Sequence, residues 1–207
     1  MIYELALVAK SNLGEEGIKA LQTMVEEVAK SFDGEVLLSD DWGNKTFAQA
    51  TSKGVKTGHY LYFIYTGNAE ANVELNRKFK INEDILKTMI VKLSDVAADG
   101  EALVKKFKSP FSKNHNGSVL DDLDQDSDAE KDRKKFARRK NCWFTAKSIK
   151  ADWKDPKTFN WLINEFGKIS PARVSGVSRK HQRFAQAAIK RARNIGVVSH
   201  MRSTFSE

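Results

Sequence analysis

The sequence predicts an α+β protein in which a four-stranded antiparallel sheet with two helices is followed by an acidic linker and a small, basic, all-helical domain. Strand-like and helix-like runs succeed one another over residues 1–95 in the order strand, helix, strand, strand, helix, strand. A polar, Asp-rich stretch then interrupts the apolar patterning. Charge is divided in the same way: residues 1–95 carry a net charge of −3, residues 96–130 of −4, and residues 131–207 of +15. At 207 residues the chain can hold two domains, each with its own core.

Ile2 to Val8 reads as the first strand, with Glu4 inside it. Ile18, Leu21, Val25, Val28 and Phe32 recur at three- and four-residue intervals, the spacing of one helix face, and Gly34 ends that helix. Glu35 to Leu38 reads as a strand, with Thr46 to Ala50 as its continuation, and His59 to Tyr65 is an aromatic run that favours extended backbone. Glu70 to Phe79 returns to helical spacing, and Leu86 to Leu93 to a strand. This order is the split βαβ, or ferredoxin-like, arrangement, with both helices on one face of the sheet.

Val96 to Phe107 suits a short helix, whereas Ser109 to Glu130 contains Pro110 and Gly117 and reads as a flexible linker. Its Asp122, Asp124, Asp126 and Asp128 do not make a calcium loop, because the sixth and twelfth positions hold Ser127 and Arg133 instead of Gly and Glu. Lys131 to Lys140 is too charged to bury and reads as an arm. A helix is expected from Pro156 through Trp161, Leu162 and Phe166 to Gly167, then a turn from Pro171 to Gly176. A second helix follows from about Ser178 to Ile195, closed by Gly196. The expected domains are residues 1–95, a helix and linker over 96–130, a basic domain over 131–200, and a tail over 201–207.

In the last helix Arg179, Arg183, Lys190 and Arg193 fall on one stripe, widened by Lys180 and Arg191, while Phe184, Ala188, Ala192 and Ile195 fall on the other. No Asp or Glu occurs between Lys168 and Arg202, so these cations lack local counter-charge. Phosphates would supply it, and displaced counterions would add binding free energy. Arg138, Arg139 and Lys140 precede Trp143 and Phe144, a basic and aromatic mixture that can grip a backbone and stack on unpaired bases. Core packing competes for at least one of those two rings, and Trp153, Trp161 and Phe166 read as core or interface.

Catalysis finds no support. There is no phosphate loop, no GxGxxG after a strand, no HExxH and no GxSxG. His59, His115, His181 and His200 lack metal-ligand spacing, and the lone Cys142 allows neither an intrachain disulfide nor a CxxC zinc pair. No catalytic, cofactor or metal site is therefore expected. The N-terminus reads directly into a strand without the features of a signal peptide, and no run is long enough to span a membrane. The expectation is a non-catalytic RNA-binding protein.

Cys142 to Arg193 resembles bacterial small-subunit ribosomal protein eighteen. The resemblance runs through Ile149-Lys-Ala-Asp-Trp-Lys-Asp155, Gly167-Lys-Ile-Ser-Pro-Ala-Arg173, Ser175-Gly176, His181-Gln-Arg183 and Ala188-Ile-Lys-Arg-Ala-Arg193. Residues 1–95 resemble bacterial small-subunit ribosomal protein six, through Tyr3-Glu4, Asp41-Trp-Gly43, Gly58-His-Tyr60 and the helix end from Glu74 to Ile81. In that family the two are separate chains that pair on the platform of the small subunit, on the central domain of its RNA. The resemblance implies that they are fused here, with an intramolecular pairing of the domains, neighbouring small-subunit proteins as partners, and a place on the ribosome of a bacterial cytoplasm or an organelle.

Ala172, Ser175 and Val197-Val-Ser-His200 depart from the family pattern. RNA contact carries over to Lys168, Arg173, Arg183, Lys190, Arg191 and Arg193, beside Arg138, Arg139, Lys140, Arg179 and Lys180 from the charge pattern. The N-terminal domain, with Arg77 as its single arginine, is expected to bind RNA weakly by itself. The other reading of the same basic face is a regulatory RNA- or DNA-binding protein outside the ribosome.

Overall fold

Every side chain from Ile2 to Ala9 is buried, which makes the first strand the axis of the N-terminal half. This strand, β1 (Ile2–Lys10), lies between β3 (Thr57–Thr66) and β4 (Ile85–Ser94), and β2 (Val36–Thr46) flanks β3. All neighbours are antiparallel, in the order β2-β3-β1-β4. The computed structural model describes residues 1–51, 53–107 and 142–201, which divide between an N-terminal and a C-terminal compact unit.

Alternate residues of the central strands build the core of the N-terminal unit. Tyr3, Leu5, Leu7 and Ala9 of β1, with Leu61, Phe63 and Tyr65 of β3, meet Leu21, Val25 and Val28 of α1 (Glu15–Ser31) and Leu75 and Phe79 of α2 (Ala69–Ile81). Both helices thus lie on one sheet face, the ferredoxin-like arrangement expected from the order of elements. The opposite face carries Glu4, Ala6, Val8, Tyr60, Tyr62 and Ile64, and these are buried too. There Tyr62 donates to Glu4 Oε2 at 2.9 Å, and its ring stacks between Trp42 at 5.1 Å and Phe107 at 4.8 Å.

Two local features differ from the sequence reading. The second strand runs unbroken from Val36 to Thr46 and stops there, so the expected continuation to Ala50 is absent. A bulge at Asp41-Trp42-Gly43 lets it continue: Gly43 takes φ +71° and its N–H donates to Asp41 Oδ1 at 2.7 Å. At the end of α1 the left-handed residue is Asp33, at φ +56°, and Gly34 is needed for a different reason. A Cβ there would lie 2.2 Å from the Thr66 carbonyl oxygen. After β4, a 3₁₀ turn at Ala97–Asp99 leads into α3 (Gly100–Lys106), within the expected Val96 to Phe107. The expected linker and basic arm, residues 109–140, lie outside the described residues.

The C-terminal unit contains α4 (Trp143–Ala146), α5 (Ala172–Ser175) and α6 (Arg179–Ile195) as far as Arg193, Asn194–Gly196 being grouped with the N-terminal unit. The helix expected from Pro156 to Gly167 is replaced by two 3₁₀ turns, Pro156–Thr158 and Asn160–Leu162, and a tight hairpin bridged at Ile163 and Ile169. Phe159 and Leu162, both fully buried, are three residues apart, the repeat of a 3₁₀ turn. Asn164 then diverts the chain: its Oδ1 accepts from the N–H groups of Phe166 at 3.1 Å and Lys168 at 2.7 Å, and Gly167 adopts φ +77°. Trp153, Phe144, Phe159, Leu162 and Val177 are the large buried side chains before α6.

Gly34→Ala is expected to destabilise the N-terminal unit by about 1–3 kcal/mol, the usual cost of forcing an added methyl group into a packed site. Urea unfolding followed by tryptophan fluorescence and far-UV circular dichroism measures it.

Candidate nucleic-acid interface

Helix α6 is bounded by local chemistry. Ser178 Oγ accepts from the His181 N–H at 3.4 Å, in the manner of an N-cap, and Gly196 at φ +86° ends the helix as the Val197 N–H returns to the Ala192 carbonyl at 2.9 Å. Its buried residues are Gln182, Ala185, Ala188, Ile189, Ala192 and Ile195, spaced at three and four. Arg179, Lys180, Arg183 and Lys190 are exposed on the other side, and Arg191 is half-buried at its margin. None of these five has a carboxylate within ion-pair distance among the described residues.

The apolar stripe is turned relative to the sequence reading. Ala188, Ala192 and Ile195 are buried as expected, but Phe184 is 46 % exposed, and Ala185 and Ile189 take the buried positions instead. At 100° per residue, Phe184 falls in line with Lys180 and Arg191, so the exposed face includes an aromatic ring between two cations. Such a ring can stack on an unpaired base while its neighbours meet phosphates.

Arg193 is used internally. It is half-buried and its guanidinium donates to the Gly167 carbonyl, while Gln182 Nε2 donates to the Ser170 carbonyl at 2.9 Å. These two bonds tie α6 to the hairpin. They set Lys168, exposed in the hairpin, and Arg173, exposed on α5, in a fixed relation to the helical cations. Gly176, at φ +74°, closes α5 immediately before α6. The expected contacts Arg138, Arg139 and Lys140 lie outside the described residues.

Of the aromatics, Phe144 and Trp153 are each 1 % exposed and belong to the core. Trp161 is partly exposed and packs edge-on to Trp143 at 5.7 Å. Phe166 is 65 % exposed beside Lys168, so it is not a core residue: the turn that replaces the expected helix carries it outward. Exposure of Phe166 and Phe184 has no signal in the sequence, where both sit at helical spacing from buried residues.

A polar cluster stands at the start of α6. Cys142 Sγ is 3.3 Å and Ser178 Oγ 3.0 Å from His181 Nδ1. Burial pushes the Cys142 thiol up, but donors from Ser178 and Thr145 outweigh it and bring the pKa down to about 6. Among the described residues no group of three or more His, Cys, Asp or Glu side chains could hold a metal ion. No helix among them is long and apolar enough to cross a membrane.

Comparison with known proteins divides the chain into an N-terminal and a C-terminal part. The family model described as Ribosomal protein S6 matches residues 2–92, and that described as Ribosomal protein S18 matches residues 147–198. Small ribosomal subunit protein bS18 of Geotalea uraniireducens is 48% identical over 75 residues, which are 36% of this chain and 82% of that protein. Small ribosomal subunit protein bS6 of Citrifermentans bemidjiense is 32% identical over 105 residues, 50% of this chain and 78% of that protein. The solved 30S ribosomal protein S6 of Thermotoga maritima aligns with 19% identity and a TM-score of 0.43, covering 51% of this chain and 97% of that one.

Because the donors stabilise the thiolate, Cys142 is expected to react with iodoacetamide with a midpoint near pH 6 instead of near 9. Ser178→Ala should raise that midpoint, as measured by mass spectrometry of the alkylated peptide across a pH series.

Proposed function

The chain belongs to two families at once, ribosomal protein S6 in its N-terminal part and ribosomal protein S18 in its C-terminal part, and we propose that it works as both within one small ribosomal subunit. It is a structural constituent of that subunit, in the translation machinery of the cytoplasm, and carries out no catalysis. Its finer role is to bind the central domain of the small-subunit RNA and to form part of the platform, with neighbouring small-subunit proteins around it.

The observation that carries this reading is the exposed face of α6. Arg179, Lys180, Arg183, Lys190 and Arg191 share one surface without a carboxylate partner among the described residues. Like charges at this density repel one another, and a phosphate backbone is the counter-charge that turns the repulsion into attraction. Arginine adds planar, two-pronged contact with phosphate and stacking on bases. Lys168 and Arg173 are exposed as well, and Arg138, Arg139 and Lys140 add positive charge earlier in the sequence.

Joining the two proteins in one chain has a physical consequence. Tethering makes pairing of the units an intramolecular event, and it fixes their ratio at one to one. The segment that joins them, residues 96–130, carries a net charge of −4. The acidic side chains of this stretch oppose its own collapse onto RNA.

In a cell lysate resolved on a sucrose gradient, the protein is expected to sediment with small subunits at low salt and to remain there at moderately high salt. Migration as a free protein at both salt concentrations would rule out the ribosomal role. Arg183→Gln combined with Lys190→Gln is expected to weaken binding to a central-domain RNA fragment. The slope of log affinity against log salt should fall by about 2, one unit for each phosphate that the variant leaves unneutralised.

A further inference from the structure

The N-terminal unit holds a second cationic feature that the ribosomal reading does not use. At one end of the sheet, where β1 runs out and β4 begins, a cleft of about 890 Å³ opens between the C-terminal end of α2 and the loop before β3. Lys10, Lys53, Lys80 and Lys87 line it, and Glu83 is the single carboxylate among its lining residues. Four of the ten lysines in residues 1–95, a segment with a net charge of −3, thus converge on one concavity.

Only Lys10 is neutralised, by Asp84 at 3.1 Å. Lys53, Lys80 and Lys87 have no carboxylate within ion-pair distance among the described residues. Lys53 and Lys80 are exposed at the rim, whereas Lys87 is half-buried with its ammonium 5.6 Å from the centroid of the Phe47 ring. Burial holds the Lys87 pKa below the ordinary lysine value. An anion in the cleft would relieve that penalty, and the walls of a concavity focus the field of the lysines into it. Asn12, Thr51 and Thr88 add uncharged hydrogen-bonding groups.

We infer that this cleft clamps the phosphodiester backbone of RNA, giving the N-terminal unit a contact of its own in addition to that made by α6. The inference rests on the RNA-binding reading above. Lysines acting as point charges recognise phosphate without reading base identity, so the clamp adds affinity and orientation, not sequence preference. Three unpaired cations provide a modest increment, consistent with the expectation that the N-terminal part binds RNA weakly by itself.

The test uses the full-length protein and a fragment of the central domain of small-subunit RNA. Lysine acylation read by mass spectrometry is expected to show Lys53, Lys80 and Lys87 protected at least severalfold by the RNA, and not by adenosine monophosphate at the same nucleotide concentration. The variant Lys53→Gln/Lys80→Gln/Lys87→Gln is expected to bind about tenfold more weakly, with a salt slope lower by about 2 to 3. Equal protection by the mononucleotide would overturn the inference in favour of a small-ligand pocket. It is also overturned if the lysines stay fully reactive on bound RNA while Arg183→Gln/Lys190→Gln still weakens binding; the function proposed for α6 then stands. If the wild-type protein does not bind the RNA at all, the proposed function fails, and this inference with it.

Discussion

The angle at which α6 is turned about its own axis governs what the C-terminal unit can present. Ala185, Ala188, Ile189 and Ala192 are buried at three- and four-residue spacing, and a helix that buries one stripe exposes the stripe opposite. Arg179, Arg183 and Lys190 lie on that opposite stripe. The helix also cannot roll, because Gln182 near one end and Arg193 near the other donate to carbonyls of the segment from Gly167 to Ser170. One set of contacts therefore fixes the core, the hairpin and the direction of the cations together.

The two units solve different problems. The N-terminal unit has a sheet whose central strand is buried on both faces, so it offers a large core, and in α2 Glu74 pairs with Arg77 at 2.7 Å. The C-terminal unit is small and irregular, with only short helical and 3₁₀ segments before α6, and aromatic side chains supply much of its buried volume. Trp153, Phe144 and Phe159 give it a core at a size where aliphatic residues alone would leave little. With its interior built from few residues, most of its long polar side chains remain outside, where they can meet a polyanion.

Charge placement extends this division. The positive charge of α6 is spread along a convex helical surface, which suits a backbone passing across it. The lysines at the end of the sheet instead surround a concavity, which suits a backbone entering it. Most of these cations stand on helices or strands whose backbone is already ordered, so little backbone entropy is lost when a partner binds.

Much of this was readable in the amino-acid sequence, because it depends on local periodicity. The strand and helix order of the first 95 residues, the long basic helix closed by Gly196, and the segregation of charge all follow from spacing and composition. The features that escaped depend on contacts between segments distant in sequence. Gly34 looks like a helix stop, yet the requirement there comes from the Thr66 carbonyl across the sheet. Phe184 and Phe166 occupy apolar positions by spacing but are exposed, since the exact roll of α6 and the Asn164 turn decide which side faces inward. Arg193 matches its neighbours in charge and becomes a structural tie only because the Gly167 carbonyl is folded against it. Lys10, Lys53, Lys80 and Lys87 are scattered over nearly eighty residues of sequence, and only the antiparallel sheet gathers them at one end.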